Sequence, residues 1–239
     1  MVAVDWTRRI DNKLLQTIPS EELDRIRSRV SPVALVAEQV LTRPGDRVNE
    51  VLFVEDGLIS LQAQVADKLG HVEIGLIGRE GLIGDGALLL DQPVALHQAM
   101  VHVSGSGLRI PVVDLKAAMQ RTPAFRQACL CYLSMKINHL AQSVVCSSRH
   151  STTQRCARWL LLADDRMPGS PLPLRQVLLA QMLAVHRPGV SAALRLLQDK
   201  GCIRQQRGRI EIIDRVVLER SACECYARER EMQALICQK

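Results

Sequence analysis

A chain of 239 residues is long for one domain and suits one large or two modest domains, each able to bury a core. With 47% hydrophobic and 23% charged residues, and only 14 Gly and 10 Pro, its composition is globular and excludes a disordered or collagen-like polymer. The net charge of +6 is unevenly placed: residues 147–239 hold 16 Lys and Arg against 9 Asp and Glu, while residues 1–146 hold 15 against 16. A neutral half joined to a basic half is what a polyanion-binding domain on a neutral partner produces, although an ordinary basic surface gives the same count.

Residues 12–30 place Leu14, Leu15, Ile18, Leu23, Ile26 and Val30 at helical spacing, broken by Pro19-Ser20, with Ser20 before Glu22 and Leu23 as a helix start. From Val33 to about Pro111 the pattern changes to short β-branched runs between turn signals. These are Pro44-Gly45-Asp46, Asp56-Gly57, Lys68-Leu69-Gly70, Gly78–Gly81, Gly84–Gly86 and Ser104–Gly107. Such spacing predicts an antiparallel roll or sandwich. The run from Val51 to Gln64 reads as a hairpin about Asp56-Gly57, and Val72–Ile77 and Ala99–Val103 as further strands. With two Phe, two Tyr and two Trp in the chain, the core must be aliphatic and no aromatic stacking platform is present.

After Pro111 the pattern is helical to about Asp165, with Thr122-Pro123 opening a long helix. Leu130, Leu133, Ile137, Leu140 and Val144 follow one another at spacings of 3, 4, 3 and 4, an a/d seam rimmed by Lys136, Asn138, His139 and Gln142. That seam suits a homodimer interface, and packing on its own domain would give the same stripe. Periodicity pauses at Cys146–Ser151, the expected domain boundary. A helix over Thr153–Asp165 with Cys156, Trp159, Leu160 and Leu161 inward then ends at the loop Met167–Pro171.

Residues 174–200 hold two helical patterns separated near Ala184–His186. The first is expected to bury Val177, Leu178 and Met182, and the second Val190, Ala193, Leu194 and Leu197. This is a helix-turn-helix, with Pro188 at the start of the second helix where a missing N–H costs nothing. Ile203 to Ile213 reads as a hairpin with its tip at Arg207-Gly208, which makes the unit a winged helix. Arg175, Arg187, Arg195, Arg204, Arg207 and Arg209 all fall on helix starts, the exposed helix face or the wing, where phosphates and base edges would lie. A solvated basic face would also look this way.

With these residues the chain resembles, over nearly its whole length, the cyclic-AMP-receptor/fumarate-nitrate-regulator (CRP/FNR) family of bacterial transcription factors. Val51-Leu52-Phe53, Gly57-Leu58-Ile59-Ser60-Leu61, Gly78-Arg79-Glu80-Gly81 and the terminal Ala222-Cys223-Glu224-Cys225-Tyr226 resemble one branch of it. The resemblance implies an α+β fold: an N-terminal β roll of the cyclic-nucleotide-binding (jelly-roll) kind over residues 1–121, a dimerisation helix and hinge over 122–150, and a winged-helix DNA-binding domain over 151–239. It implies a homodimer on a palindrome of double-stranded DNA, and leaves room for RNA polymerase as a further partner. By position, Arg187 matches an arginine that reads guanine and Arg175 a phosphate contact. Ser191 is a base or phosphate contact, and Gln176 and His186 flank these positions. Pro188 and Ala192 stand where the cyclic-AMP receptor has an acidic base-reader and a second arginine, so that receptor's operator is not expected.

The family's cyclic-nucleotide cassette needs a fixed arginine for the phosphate. Here Gly84-Asp85 stand for its first pair, but Pro93–Ala99 contains no arginine, and a buried unpaired phosphate is costly. Cyclic AMP is therefore disfavoured. Gly84, Asp85, His97 and Gln98 are pocket candidates for another effector, or surface residues of a degenerate roll.

No apolar run reaches the ~18–20 residues of a membrane helix, and the stretch around Asp5, Arg8, Arg9 and Asp11 lacks a signal-peptide core, so a cytosolic protein with no membrane role is expected. The eight cysteines are expected as reduced, core or incidental thiols. Cys129 and Cys131 point about 200° apart on a helix, and Cys223 and Cys225 show no second ligand set, so neither cofactor nor metal is expected. Cys146, near the seam and hinge, keeps a redox or metal sensor as a minor reading. The six histidines have no metal-enzyme spacing, and nucleophile elbows and phosphate loops are missing, so an enzyme is not expected. The alternative function is a ligand-binding or redox/metal-sensing module whose winged helix docks on protein.

Overall fold

The computed structural model describes residues 10–66 and 70–236, which form two compact units, one of 10–61 with 77–134 and one of the described residues of 62–76 with 135–236. The N-terminal stretch of Asp5 to Arg9 and the Lys68-Leu69 part of an expected turn lie outside the described residues.

The first unit opens with α1 (Lys13–Gln16), α2 (Ser20–Asp24) and a 3-10 turn at Arg27–Arg29. Pro19, which lacks a donor and fixes its own φ, keeps these turns from merging into one helix. Asn12 anchors the entry. Its buried side chain accepts from the Leu15 N–H at 3.0 Å and donates to the carbonyls of Val54 and Gly81, both at 2.9 Å.

A six-stranded antiparallel sheet follows: β1 (Ser31–Leu35), β2 (Val40–Thr42), β3 (Glu50–Gln64), β4 (His71–Ile77), β5 (Leu82–Ile83) and β6 (Gln98–Pro111). Its order is β1-β6-β3-β4, with β2 also on β6 and β5 also on β3. The end of the β3–β4 hairpin, residues 62–76, groups with the second unit.

Two turn expectations are corrected here. Asp56-Gly57 is no hairpin turn, because β3 runs unbroken from Glu50 to Gln64. Gly57 instead takes a left-handed conformation at φ +93°, and a Cβ there would stand 2.6 Å from the Val103 carbonyl oxygen and 3.2 Å from the Cα of Gly105. Glycine is thus used for close backbone approach and a kink within a long strand. Likewise Ser104–Gly107 lies inside β6, paired with β1 through Ser106↔Ala34 and Gly107↔Val33. Turns do form at Pro44–Asp46, with Asp46 N–H on Arg43 O at 3.0 Å, and at Gly78–Gly81, with Gly81 N–H on Gly78 O at 3.1 Å.

Between the strands lies an aliphatic core that includes Val51, Leu58, Ile59, Leu82 and Ile110. The helices α3 (Val112–Arg121) and α4 (Pro123–Arg149) follow. Phe125 of α4 meets Phe53 edge-on, ring centroids 6.2 Å apart, and the Tyr132 hydroxyl donates to Leu82 O at 2.9 Å.

The second unit takes over along α4 and centres on α5 (Thr152–Arg166), capped by Ser151 in a capping box with Gln154. Its residues Cys156, Ala157, Trp159, Leu160, Leu161 and Ala163 are buried, and Trp159 Nε1 donates to Glu73 of β4 at 2.5 Å. Against α5 pack α7 (Arg187–Asp199), α8 (Arg215–Ser221) and α9 (Cys225–Ile236), while α6 (Gln176–Met182) and β7 (Ile203–Gln206), the latter paired with β8 (Arg209–Ile212), pack on α7. Among the described residues no single helix is long and apolar enough to cross a membrane.

Candidate nucleic-acid interface

The helices α6 and α7 are bent by 111° across a four-residue break, within the ~90–120° of a helix-turn-helix. Ala184 in that break takes φ +50°, and Pro188 occupies the first turn of α7. As expected, α7 buries Val190, Ala193, Leu194 and Leu197, the i, i+3, i+4, i+7 stripe of an amphipathic helix.

The face of α6 differs from the sequence reading. Leu179, Ala180 and Met182 are buried, whereas Val177 is 55% exposed and Leu178 is not in the core. Seven residues with four consecutive aliphatics give no usable periodicity, so packing against α7 chooses the face.

The hairpin pairs Gln206↔Arg209 and Gln205↔Ile210, leaving Arg207-Gly208 at the tip with Gly208 at φ +73°. Leu172 adds a third strand-like segment, exchanging backbone hydrogen bonds with Ile210 at 2.8 and 2.9 Å. Leu174 N–H also bonds Gly208 O at 3.0 Å, so the wing is held along β8 up to its tip while the Arg207 side chain stays exposed.

One concave surface collects Arg175 and Gln176 from the start of α6, Arg187 from the start of α7, and Gln205, Gln206 and Arg209 from the wing. Inside it, Gln176 donates to Gln205 at 2.9 Å and receives the Ser191 hydroxyl at 2.7 Å, a chain that fixes α6, α7 and the wing against one another. Arg187 O, 3.1 Å from the same hydroxyl, is its alternative acceptor. His186 caps α7 by position, without a side-chain hydrogen bond to its backbone. Arg195 is exposed further along α7 and Arg207 at the wing tip, both off this surface. Arg204 shares the face of Arg209 two residues further from the tip, off this surface, and pairs with Glu211 at 3.1 Å.

On α4 the seam residues divide. Ile137 and Val144 are 67% and 68% exposed and Leu130 39%, with Leu140 half-buried, whereas Leu133 is buried in its own unit. Of the pocket candidates, Gly84 (φ +93°) and Asp85 open a 3-10 turn at Asp85–Leu88, and His97 and Gln98 sit where β6 begins, His97 O accepting the Thr42 hydroxyl at 3.2 Å. Asp85, His97 and Gln98 are each partly exposed.

The cysteines fall into two groups. Burial pushes Cys129 and Cys156 up to about 12, the environment of inert core thiols. Cys146, Cys223 and Cys225 instead converge with His150, and the expectation that Cys223 and Cys225 lack a second ligand set is corrected. That set comes from the end of α4, about 75 residues away in sequence, a distance no local spacing rule spans. Cys146 lies well below the ordinary thiol range, chiefly because Cys223 S–H donates to it; burial opposes this and the charge of Arg158 assists.

Beside this group is a buried polar network that the sequence reading missed. Arg158 of α5 donates to Glu229 of α9 at 2.8 Å and to Ser143 of α4 at 3.3 Å, and Glu229 also bonds His139 of α4. Despite the opposing effect of burial, His139 and Arg158 hold the Glu229 carboxyl down at about 2.

A family profile described as the Crp-like helix-turn-helix domain matches residues 154–221. No curated protein sequence matches the chain at a significant level. Among solved structures the chain is similar to FixK2 from Bradyrhizobium japonicum, with 16% identity, TM-score 0.69, 81% of this chain and 98% of that one covered. It is also similar to the c-di-GMP-responsive global regulator CLP from Xanthomonas campestris, with 16% identity, TM-score 0.65, and 82% and 100% covered. A third likeness is to a CRP-family transcriptional regulator from Thermus thermophilus, with 17% identity, TM-score 0.64, and 80% and 96% covered. Residues 154–221 are thus a Crp-like helix-turn-helix domain, and the chain as a whole has the fold of the CRP/FNR transcription regulators.

Proposed function

We propose that the protein is a cytosolic, homodimeric transcription regulator that binds a palindromic DNA operator in a sequence-specific way. In this reading residues 1–121 are the sensor-like part, 122–150 the dimer helix and hinge, and 151–239 the DNA-binding part. The observation that carries it is the concave surface where Arg175, Arg187 and Arg209 converge from two helix starts and a wing. Arg187, at the N-terminus of the helix that would enter the major groove, would read guanine O6 and N7. Arg175 and Arg209 flank it as phosphate contacts, and the surplus of 16 basic over 9 acidic residues in 147–239 draws the duplex in.

The exposed Leu130, Ile137 and Val144, one heptad apart on α4, supply the dimer stripe. An effector acting on the first 121 residues would shift the balance between two hinge states near 146–151. The missing arginine in Pro93–Ala99 speaks against cyclic AMP as that effector. The similar regulator CLP is c-di-GMP-responsive, which makes a different nucleotide one class to try.

The test is selection of bound sequences from random duplexes with purified protein at two salt concentrations and no added ligand. A palindrome with half-sites about one helical turn apart, bound less tightly at high salt, is expected. Selection that enriches nothing with or without cyclic nucleotides, while the folded dimer captures a protein partner through 151–239, would favour the protein-docking alternative.

A further inference from the structure

We propose that Cys146, His150, Cys223 and Cys225 form a closed, four-coordinate binding site for a single zinc ion. The inference does not rest on the DNA-binding reading.

The geometry is that of one ion. The four ligand atoms all lie within 4.8 Å of one another. Cys146 Sγ and Cys223 Sγ are 3.6 Å apart, and Cys225 Sγ and His150 Nδ1 are 3.4 Å apart. A regular tetrahedron with Zn–S of about 2.3 Å and Zn–N of about 2.0–2.1 Å has S···S edges of about 3.8 Å and S···N edges of about 3.6 Å. Both separations thus lie within about 0.2 Å of the tetrahedral edges.

The donors choose the metal. Three thiolates and an imidazole are soft and borderline ligands, which suit Zn²⁺ and exclude Mg²⁺ or Ca²⁺ as preferred occupants. The three cysteines are buried and four protein ligands complete the shell, so the site is structural in type and leaves no open position for chemistry.

The surroundings are arranged as a metal site requires. His150 Nδ1 faces the sulfurs while Nε2 lies 3.2 Å from a Glu224 carboxylate oxygen. A proton on Nε2, donated to Glu224, leaves the Nδ1 lone pair aimed at the ion. Three thiolates around Zn²⁺ carry a net charge of −1, and the charge of Arg158 acts on this group from α5. Binding converts the thiols to thiolates and releases up to three protons to solvent, with no change of oxidation state.

Two distant pieces of chain are joined in this way. Cys146 and His150 stand one turn apart at the end of α4, while Cys223 and Cys225 lie where α8 gives way to α9. Zinc would clip the last turn of α4, where the hinge begins, to the C-terminal helices. Zinc-dependent order of the 146–150 junction follows.

The experiment uses the full-length chain, purified and kept reduced with a phosphine. Elemental analysis is expected to find about one zinc per chain. Replacement by Co²⁺ should give intense tetrahedral d–d bands with thiolate-to-cobalt charge transfer, a signature that needs no variant. Cys223→Ser and Cys225→Ser should lose that spectrum and most of the zinc, while Cys129→Ser and Cys202→Ser, outside the cluster, should keep both. Glu224→Gln should retain full loading at saturating zinc but bind about 10–100-fold more weakly against a competing chelator. A reduced, folded wild-type protein that takes up neither zinc nor cobalt overturns the proposal. So does a cobalt spectrum without thiolate charge transfer, or metal retained at full affinity in both Cys223→Ser and Cys225→Ser.

Discussion

Arg187 and Arg158 are arginines on helices of the same unit, and they obey opposite rules. Arg187 keeps its guanidinium in water at the start of α7, so its charge is available to whatever polyanion arrives. Arg158 lies buried within α5, where its charge is tolerable only because Glu229 and Ser143 accept its hydrogen bonds. Around Arg187 the surface is tuned by salt and by a partner. Around Arg158 the carboxylate, hydroxyl and guanidinium Nη2 are bonded to one another, though its Nε is not, and what they hold together is α4, α5 and α9. Changes on the exposed face should therefore alter binding and leave stability alone, whereas changes in the buried network should do the reverse.

The sharpest test of that separation is Arg187→Ala. A bidentate base contact is worth about 1–3 kcal/mol of discrimination, so losing it in both half-sites of a dimer should remove about 2–6 kcal/mol of specific affinity. Titration of the selected operator against a scrambled duplex measures it, and the thermal midpoint and dimer mass should not move. If specific affinity survives, the register of the recognition helix is wrong.

Glu229→Gln should do the opposite. Removing one partner of a buried ion pair strands the other charge and costs about 3–5 kcal/mol, read by urea denaturation. A loss under about 1 kcal/mol would mean that the network does not hold α9 to α5.

Acid titration sharpens the same contrast by a somewhat smaller amount. The Glu229 carboxyl ionises at about 2 when folded against 4.5 ordinarily. A depressed carboxyl contributes stability that is fully present above the unfolded value and is lost as pH falls through the folded one. The window is thus about pH 4.5 to 2, and the contribution about 3 kcal/mol at most. Stability measured across that window should fall more steeply in the wild type than in Glu229→Gln. Equal slopes would assign the acid sensitivity elsewhere.

The same contrast explains what the sequence made legible. The winged helix could be read because its code is local. Val190, Ala193, Leu194 and Leu197 repeat at helical period, and Arg207-Gly208 separates two alternating runs; both readings hold in the structure. Asp56-Gly57 misled for the same reason, since a local turn signal cannot show that Gly57 is needed for its approach to Gly105 on another strand. Long strands that kink at glycine differ from hairpins only through pairing, which is non-local. The Cys146, His150, Cys223 and Cys225 cluster was invisible as a set because its two halves come together only by folding. In hindsight Cys146-x-x-x-His150 is an i, i+4 pair at a helix end and Cys223-x-Cys225 a tight partner for it, but nothing short of the fold places one beside the other.

The smallest effects lie within the wing, where two arginines five residues apart should behave differently. Arg209 lines the concave surface with Arg175 and Arg187, whereas Arg204, on the same face but further from the tip, is 3.1 Å from Glu211. Both members of that pair are well exposed, so the interaction is worth about 0.2–1 kcal/mol and screens with salt. Losing a phosphate contact lowers the slope of log affinity against log salt by about one per wing, and that is the change expected of Arg209→Ala, with a uniform loss across operator sequences. Arg204→Ala should leave the slope near its wild-type value, because the guanidinium is already neutralised by a carboxylate and releases little when removed. Binding isotherms at several salt concentrations separate the two. A slope reduced as much by Arg204→Ala as by Arg209→Ala would mean that DNA reaches along this face as far as Glu211 and that the pair opens on binding. The phosphate track would then extend along the wing beyond the groove between α6, α7 and the wing tip.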